Sequence, residues 1–198
     1  MRTPKTNIEE LVARRASWIN GVRARLGSRE RRQLVSGDAL LYLGDPLQLC
    51  LERGSVRAPR ADLDGQRLTV ILPQRIGEDS QRAAVERALT RWYVGCALAD
   101  FEERVRAWAT ACELAPSGLL VRNQRTRWGS CSRDGVLRLN WRLVMAPPSV
   151  VDYVVVHELA HMRVPNHSAA FWAEVERFLP DYRERRAHLK RIGPQLVL

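Results

Sequence analysis

Lysine is almost absent from these 198 residues. Only Lys5 and Lys190 occur, so nearly all of the 32 basic residues are arginine. With 22 acidic residues the net charge is +10, a balance that raises the prospect of contact with a polyanion. An arginine-for-lysine bias also arises from a GC-rich genome, so charge alone does not choose a ligand. Cysteine is scarce as well. Cys50, Cys96, Cys112 and Cys131 form no CxxC pair and no tight framework. That spacing excludes a disulfide-stapled or zinc-ribbon scaffold and reads as reduced thiols packed as small core residues. No run approaches the roughly 18 apolar residues of a membrane span, so no membrane partner is expected. The start, MRTPKTNIEELVARRASW, lacks the apolar core of a signal peptide, and the expected location is the cytoplasm.

What remains is an ordinary globular composition, 45% hydrophobic, long enough to bury a core in one domain. Ile8 to about Leu26 repeats apolar residues at helical spacing. Between Ser36 and Pro73, the runs ALLYLG, LQLCLERG and QRLTVILP read as three strands of a small antiparallel sheet. Ser80 to about Leu114 predicts one long helix, with a break at Gly95 as an option and Pro116 as its stop. LLVRNQRTRWGSC and VLRLNW flank SRDG, where Asp134-Gly135 signals a hairpin. A buried helix follows, with Ser149 as expected N-cap, Asp152 completing a capping box, and Pro165 as the stop. SAAFWAEVERFLP and DYRERRAHLKRI predict two more helices.

Histidine is scarce too, and three of the four crowd into eleven positions of VHELAHMRVPNHS. His157, Glu158 and His161 spell HExxH. On a helix, residues i and i+4 share a face, so both imidazoles reach one ion, while Glu158 lies about 100° around the axis. Such a metal lowers the pKa of a water, Glu158 takes its proton, and the hydroxide attacks a polarised carbonyl. A catalytic zinc needs a third protein ligand and an open position. His167 is the preferred third ligand, because Pro165 and Asn166 let the chain turn back. Glu174 or Glu176 on the next helix competes with it. The structural alternative is a satisfied core histidine pair with Glu158 in an ion pair. His188, in an arginine-rich helix, reads as a surface residue.

TRWGSCSRDGVLRLNWRL, VVHELAHMRVPNHSAAFW and the stretch to Leu189 together closely resemble the YgjP-like metallopeptidase family. That family is related more distantly to SprT-like proteins and to the DNA–protein crosslink protease Spartan. The resemblance is dense from Thr126 to Leu189 and weaker through RRASWI, LLYLG, LTVILP and RWYVGCALADFEERV. It implies an α+β, zincin-like fold across a single domain, residues 1–198. The metal helix packs on a small antiparallel sheet or hairpin, with a β-rich N-terminal region and a long central helix. Residues 1–79 supply the N-terminal helix and small sheet, and 80–198 the catalytic part. It also implies His157, His161 and His167 as ligands of one zinc ion and Glu158 as the catalytic acid/base. Family members usually begin with further strands before RRASWI, and this sequence is expected to start without them.

The hairpin offers both a substrate role and a structural one. A zincin commonly holds its substrate as an added strand, and VLRLN is a candidate edge. Arg127 and Asn140 would then face the cleft and steady a protein or peptide substrate or its oxyanion. Alternatively Trp128, Gly129 and Trp141 build the hairpin core, and Cys131 is a small buried residue there. The expected function is a zinc-dependent metallopeptidase. Hydrolysis of a different amide is a second enzymatic reading. A DNA-associated zinc-binding module or DNA-linked protease is the competing one, with Arg29, Arg31, Arg32 and the run Arg183 to Arg191 on phosphates.

Overall fold

The computed structural model describes residues 33–198. The expected helix from Ile8 to Leu26, the RRASWI segment, and Arg29, Arg31 and Arg32 lie outside the described residues.

Strand β1 (Ala39–Tyr42), β2 (Asp45–Gly54), β3 (Arg60–Asp64) and β4 (Arg67–Pro73) form one sheet in the order β1-β2-β4-β3. Period-two burial explains the inner strands. Leu47 and Leu49 of β2 and Leu68, Val70 and Leu72 of β4 point to the core. The sheet corrects the expectation in two ways. It has four strands rather than three, and β2 runs parallel to β4. The overlooked strand is β3, RADLD, an exposed edge whose Leu63 is 37% exposed. An edge strand with little apolar burial leaves no hydrophobic alternation to read. With β3 returning antiparallel to β4, β2 and β4 can lie side by side in the same direction.

Helix α1 (Glu78–Ala111) then runs 34 residues, about 50 Å, without a break at Gly95. Gly95 is on the solvent side with no atom near its missing Cβ, so it costs about 1 kcal/mol in propensity and no packing. The opposite face is continuous: Val85, Leu89, Tyr93, Ala97, Phe101 and Val105 are buried at four-residue steps. Tyr93 ties the sheet to the following elements. Its hydroxyl donates to the Leu41 carbonyl (2.8 Å), and its ring stacks on Trp141 at 5.7 Å.

Strands β5 (Gly118–Arg122), β6 (Gly129–Cys131) and β7 (Val136–Asn140) make a second sheet in the order β5-β7-β6. The Asp134-Gly135 hairpin is present. Gly135 takes φ +79°, and its amide donates to the Ser132 carbonyl at 2.9 Å. This sheet is also mixed, with β5 parallel to β7 and β6 antiparallel to it. Consequently β7, the VLRLN strand, is central and cannot be the edge that receives a substrate strand. A 3-10 helix at Trp141–Met145 leads into α2 (Pro148–Ala160), α3 (Ala169–Phe178) and α4 (Tyr182–Ile192).

Helix α2 is buried on nearly every side, which overrides the poor helix propensity of its five valines. Its start differs from expectation. Pro148 occupies the first helical position, so Ser149 is already inside the helix and makes no cap. Asp152 is released from capping and instead accepts from Arg104 (2.7 Å) and from the Trp108 indole (3.1 Å), both on α1. That contact fixes the roll of α2 against α1, and with it the direction of the HExxH face. The α+β class is as expected, and no helix among the described residues is long and apolar enough to cross a membrane.

Candidate metal centre

Helical geometry places His157 and His161 one turn apart near the C-terminal end of α2. The helix ends at Ala160 because its last turn tightens: the amides of Met162, Arg163 and Val164 return to Leu159 and Ala160 at 2.9–3.1 Å. Pro165 has no amide to continue it. The same turn aims a ligand. His161 Nδ1 lies 3.1 Å from the Val164 carbonyl. A carbonyl can only accept, so the ring proton sits on Nδ1 and the lone pair of Nε2 is left for a metal. Beyond Pro165, the Asn166 side-chain oxygen accepts from the Ser168 amide (3.2 Å), a local turn that brings His167 back toward the helix.

The three histidines converge. Nε2 of His157 and Nε2 of His167 are 3.1 Å apart, and one ligand atom from each of the three lies within 4.8 Å of the others. Two bonds of about 2.1 Å at a tetrahedral angle set nitrogens about 3.4 Å apart, so the spacing fits a shared ion. Three imidazoles are a donor set suited to zinc and its neighbours rather than to calcium or magnesium. Burial, reinforced by the charges of His161, His167 and Arg186, pushes His157 down to about 3. Burial likewise lowers His161, against the pull of its Val164 contact. Both rings are therefore neutral at neutral pH, the form able to bind a metal.

Aromatic rings brace the cluster. His161 stacks on Phe171 at 4.5 Å and 29°, and His167 stacks on Trp172 at 5.7 Å and 23°. His167 is an exposed loop residue, so this stacking orients its ring. Tyr153, one turn before His157 on the same face of α2, has its ring 5.8 Å away.

Glu158 is 5% exposed. Burial raises its carboxyl to about 7, opposed by the charge of Arg127 and by a hydrogen bond from the Cys131 backbone. The hairpin makes room for it. A Cβ on Gly129 would fall 2.6 Å from Glu158 Oε1 and 2.8 Å from Cγ, so only glycine leaves the carboxylate this close to β6. Gly129 is thus a site residue, which its reading as hairpin core passed over. The WGS context marked the glycine, but nothing in it pointed to Glu158.

The remaining candidates separate. Arg127 is exposed and near enough to Glu158 to act on its charge. Asn140 does not face a cleft. It is 3% exposed, donates to the carbonyls of Gln124 (2.8 Å) and Arg127 (3.3 Å), and accepts from the Arg142 amide (3.2 Å). Its polar atoms are spent on the loop that carries Arg127. Among the described residues, neither Glu174 nor Glu176 joins the histidine group. Glu174 is paired with Arg163 and Glu176 with Arg183. Cys131 and His188 also lie outside it. Trp141 is core, 2% exposed, and Trp128 packs half-buried against Gly193.

The metallopeptidase zymogen of Pyrococcus abyssi, abylysin, is similar in structure at a TM-score of 0.42 and 20% identity, over 46% of this chain and 94% of that one. The zymogen of Methanocaldococcus jannaschii jannalysin is similar at 0.41 and 20%, over 46% and 93%. No curated relative matches. The family model described as "YgjP-like, metallopeptidase domain" matches residues 1–192, so this chain belongs to the YgjP-like metallopeptidase family.

Proposed function

We propose that the protein is a zinc-dependent peptidase in which His157, His161 and His167 hold one ion and Glu158 is the general base and acid. The observation that carries this reading is the 3.1 Å approach of two imidazole Nε2 atoms beside a buried carboxylate. A zinc ion bound there supplies a Lewis acid and a water of lowered pKa. The chain's own residues do the rest. Glu158, its carboxyl raised by burial to about 7, is poised to take a proton and return it to the leaving amine. Gly129 sets the carboxylate's position, and the Cys131 amide orients it. Arg127, exposed beside Glu158, stabilises negative charge that develops on the carbonyl oxygen.

Metal analysis of the purified protein, paired with a casein digest by wild type and Glu158→Gln, tests the reading. Near-stoichiometric zinc and loss of cleavage in the variant are expected. Equal cleavage by both proteins, or a preparation that takes up no zinc, overturns it.

A further inference from the structure

The arginine-rich helix α4 is not uniform. Arg183 pairs with Glu176 at 2.7 Å. Arg185 holds Asp181 at 2.9 Å and donates to the Ser149 carbonyl at 3.2 Å. Arg186 has no ion pair among the described residues. It is exposed and turned over the Trp172 ring, with its Cζ 4.7 Å from the centroid.

Trp172 is the ring against which His167 stacks, and its centroid is 5.8 Å from that of His157. The Arg186 guanidinium and two of the three histidines therefore share one aromatic neighbour. This is an unfavourable place for an unmatched cation, because a bound divalent ion adds charge of the same sign. The nearby carboxylates do not neutralise it. Glu176 is held by Arg183, Glu174 by Arg163, and Glu158 is buried on the Arg127 side. Tyr182, one turn before Arg186, stacks on Trp172 at 5.3 Å and 13°, so the ring under the guanidinium is held from the same helix. A planar guanidinium fixed on an aromatic face keeps its N–H edge available for bidentate contact with a carboxylate.

We propose that Arg186, braced on Trp172, is the specificity residue beside the histidine cluster and binds a carboxylate of the peptide substrate within two or three residues of the scissile bond. Each residue of extended chain spans about 3.5 Å, which sets that reach. The carboxylate is either an Asp or Glu side chain or the free C-terminus. This assignment rests on the peptidase reading above and adds its substrate class.

Quenched fluorescent peptides test it, identical except for Asp, Gln or Lys at the positions flanking the scissile bond. Each is made with a free or an amidated C-terminus. Wild-type protein loaded with zinc is expected to favour a carboxylate-bearing peptide over its lysine counterpart by about tenfold or more in kcat/KM. Preference for Asp peptides identifies the side chain, and preference for free over amidated ends identifies the C-terminus. Arg186→Glu should reverse the order toward lysine, with zinc content and Tm retained. Lys190→Glu, a charge reversal at an exposed position on the same helix, should leave the order in place. Cleavage of all peptides at equal rates, or an unaltered preference in Arg186→Glu, overturns the proposal while leaving the peptidase reading intact.

A binding assay separates the two failures. Labelled Asp and Lys peptides titrated onto zinc-loaded Glu158→Gln report recognition without turnover. If no peptide is cleaved, tighter binding of the Asp or free-ended peptide still supports the Arg186 site, and equal binding refutes it.

Discussion

Gly129 on β6 and Glu158 on α2 meet so closely that a methyl group on the glycine would stand 2.6 Å from the carboxylate oxygen. The contact joins the hairpin to the HExxH helix at the residue proposed to move a proton. Gly129→Ala is therefore expected to displace the carboxylate rather than the ligands. Misplacing a catalytic group by about 1 Å costs on the order of a hundredfold in rate. The variant should lose that much in kcat while binding zinc as wild type does. Normal turnover in Gly129→Ala would show that Glu158 has slack the packing does not suggest.

The third ligand is open to a direct comparison. His167→Ala should weaken zinc binding by more than about a hundredfold, since even the loss of outer partners costs ten- to a hundredfold. Glu174→Ala should leave affinity close to wild type, because its carboxylate is engaged with Arg163. Competition with a chromogenic chelator measures both. The reverse ranking would reassign the ligand.

The metal-free protein should show opposing pH effects. Glu158 is raised from 4.5 to about 7, so its contribution is present below pH 4.5 and lost as pH rises through 7. His157 is lowered from 6.5 to about 3, so its contribution is present above pH 6.5 and lost as pH falls through 3. Between pH 4.5 and 6.5 the two partly cancel. In Glu158→Gln only the histidine contribution remains, and stability should climb more steeply with pH across that window. Melting temperatures in chelator, taken every half unit, check this. Parallel curves for the two proteins would contradict it.

Asp152 connects three helices. It accepts from Arg104 and Trp108 of α1 and lies 4.0 Å from Arg185 of α4. Asp152→Ala removes the shared acceptor and leaves two half-buried donors unmatched, which costs about 2 kcal/mol. Urea denaturation should show that loss as a lower midpoint at unchanged slope. A shift below about 0.5 kcal/mol would place the bridge among ordinary surface pairs.

The local features were legible from residue order. HExxH on a helix, the Pro165-Asn166 turn, the Asp134-Gly135 hairpin and the long α1 each depend on neighbours in the chain, where spacing and propensity act directly. Gly95 shows the limit of such reading. Its low propensity invited a break, yet the buried stripe from Tyr93 to Ala97 on the far face carries the helix through.

Features that depend on distant partners were settled only by the fold. β3 is an exposed edge with no apolar alternation, so it became visible only as a partner of β4, and the parallel pairing of β2 with β4 came with it. Asn140 has the composition of a cleft residue, but β7 is central and the side chain is used up by Gln124, Arg127 and Arg142. Asp152 reads as half of a capping box until Pro148 takes the first helical position. The residue order by itself determined which groups are able to bind a metal and move a proton, because two histidines and a glutamate share one helical turn and the third histidine follows a proline stop. The tertiary structure decided what surrounds them: Gly129 against Glu158, Phe171 and Trp172 behind the histidines, and Arg186 above the tryptophan. Those contacts link β6, α2, α3 and α4, and separation along the chain carries no sign of them.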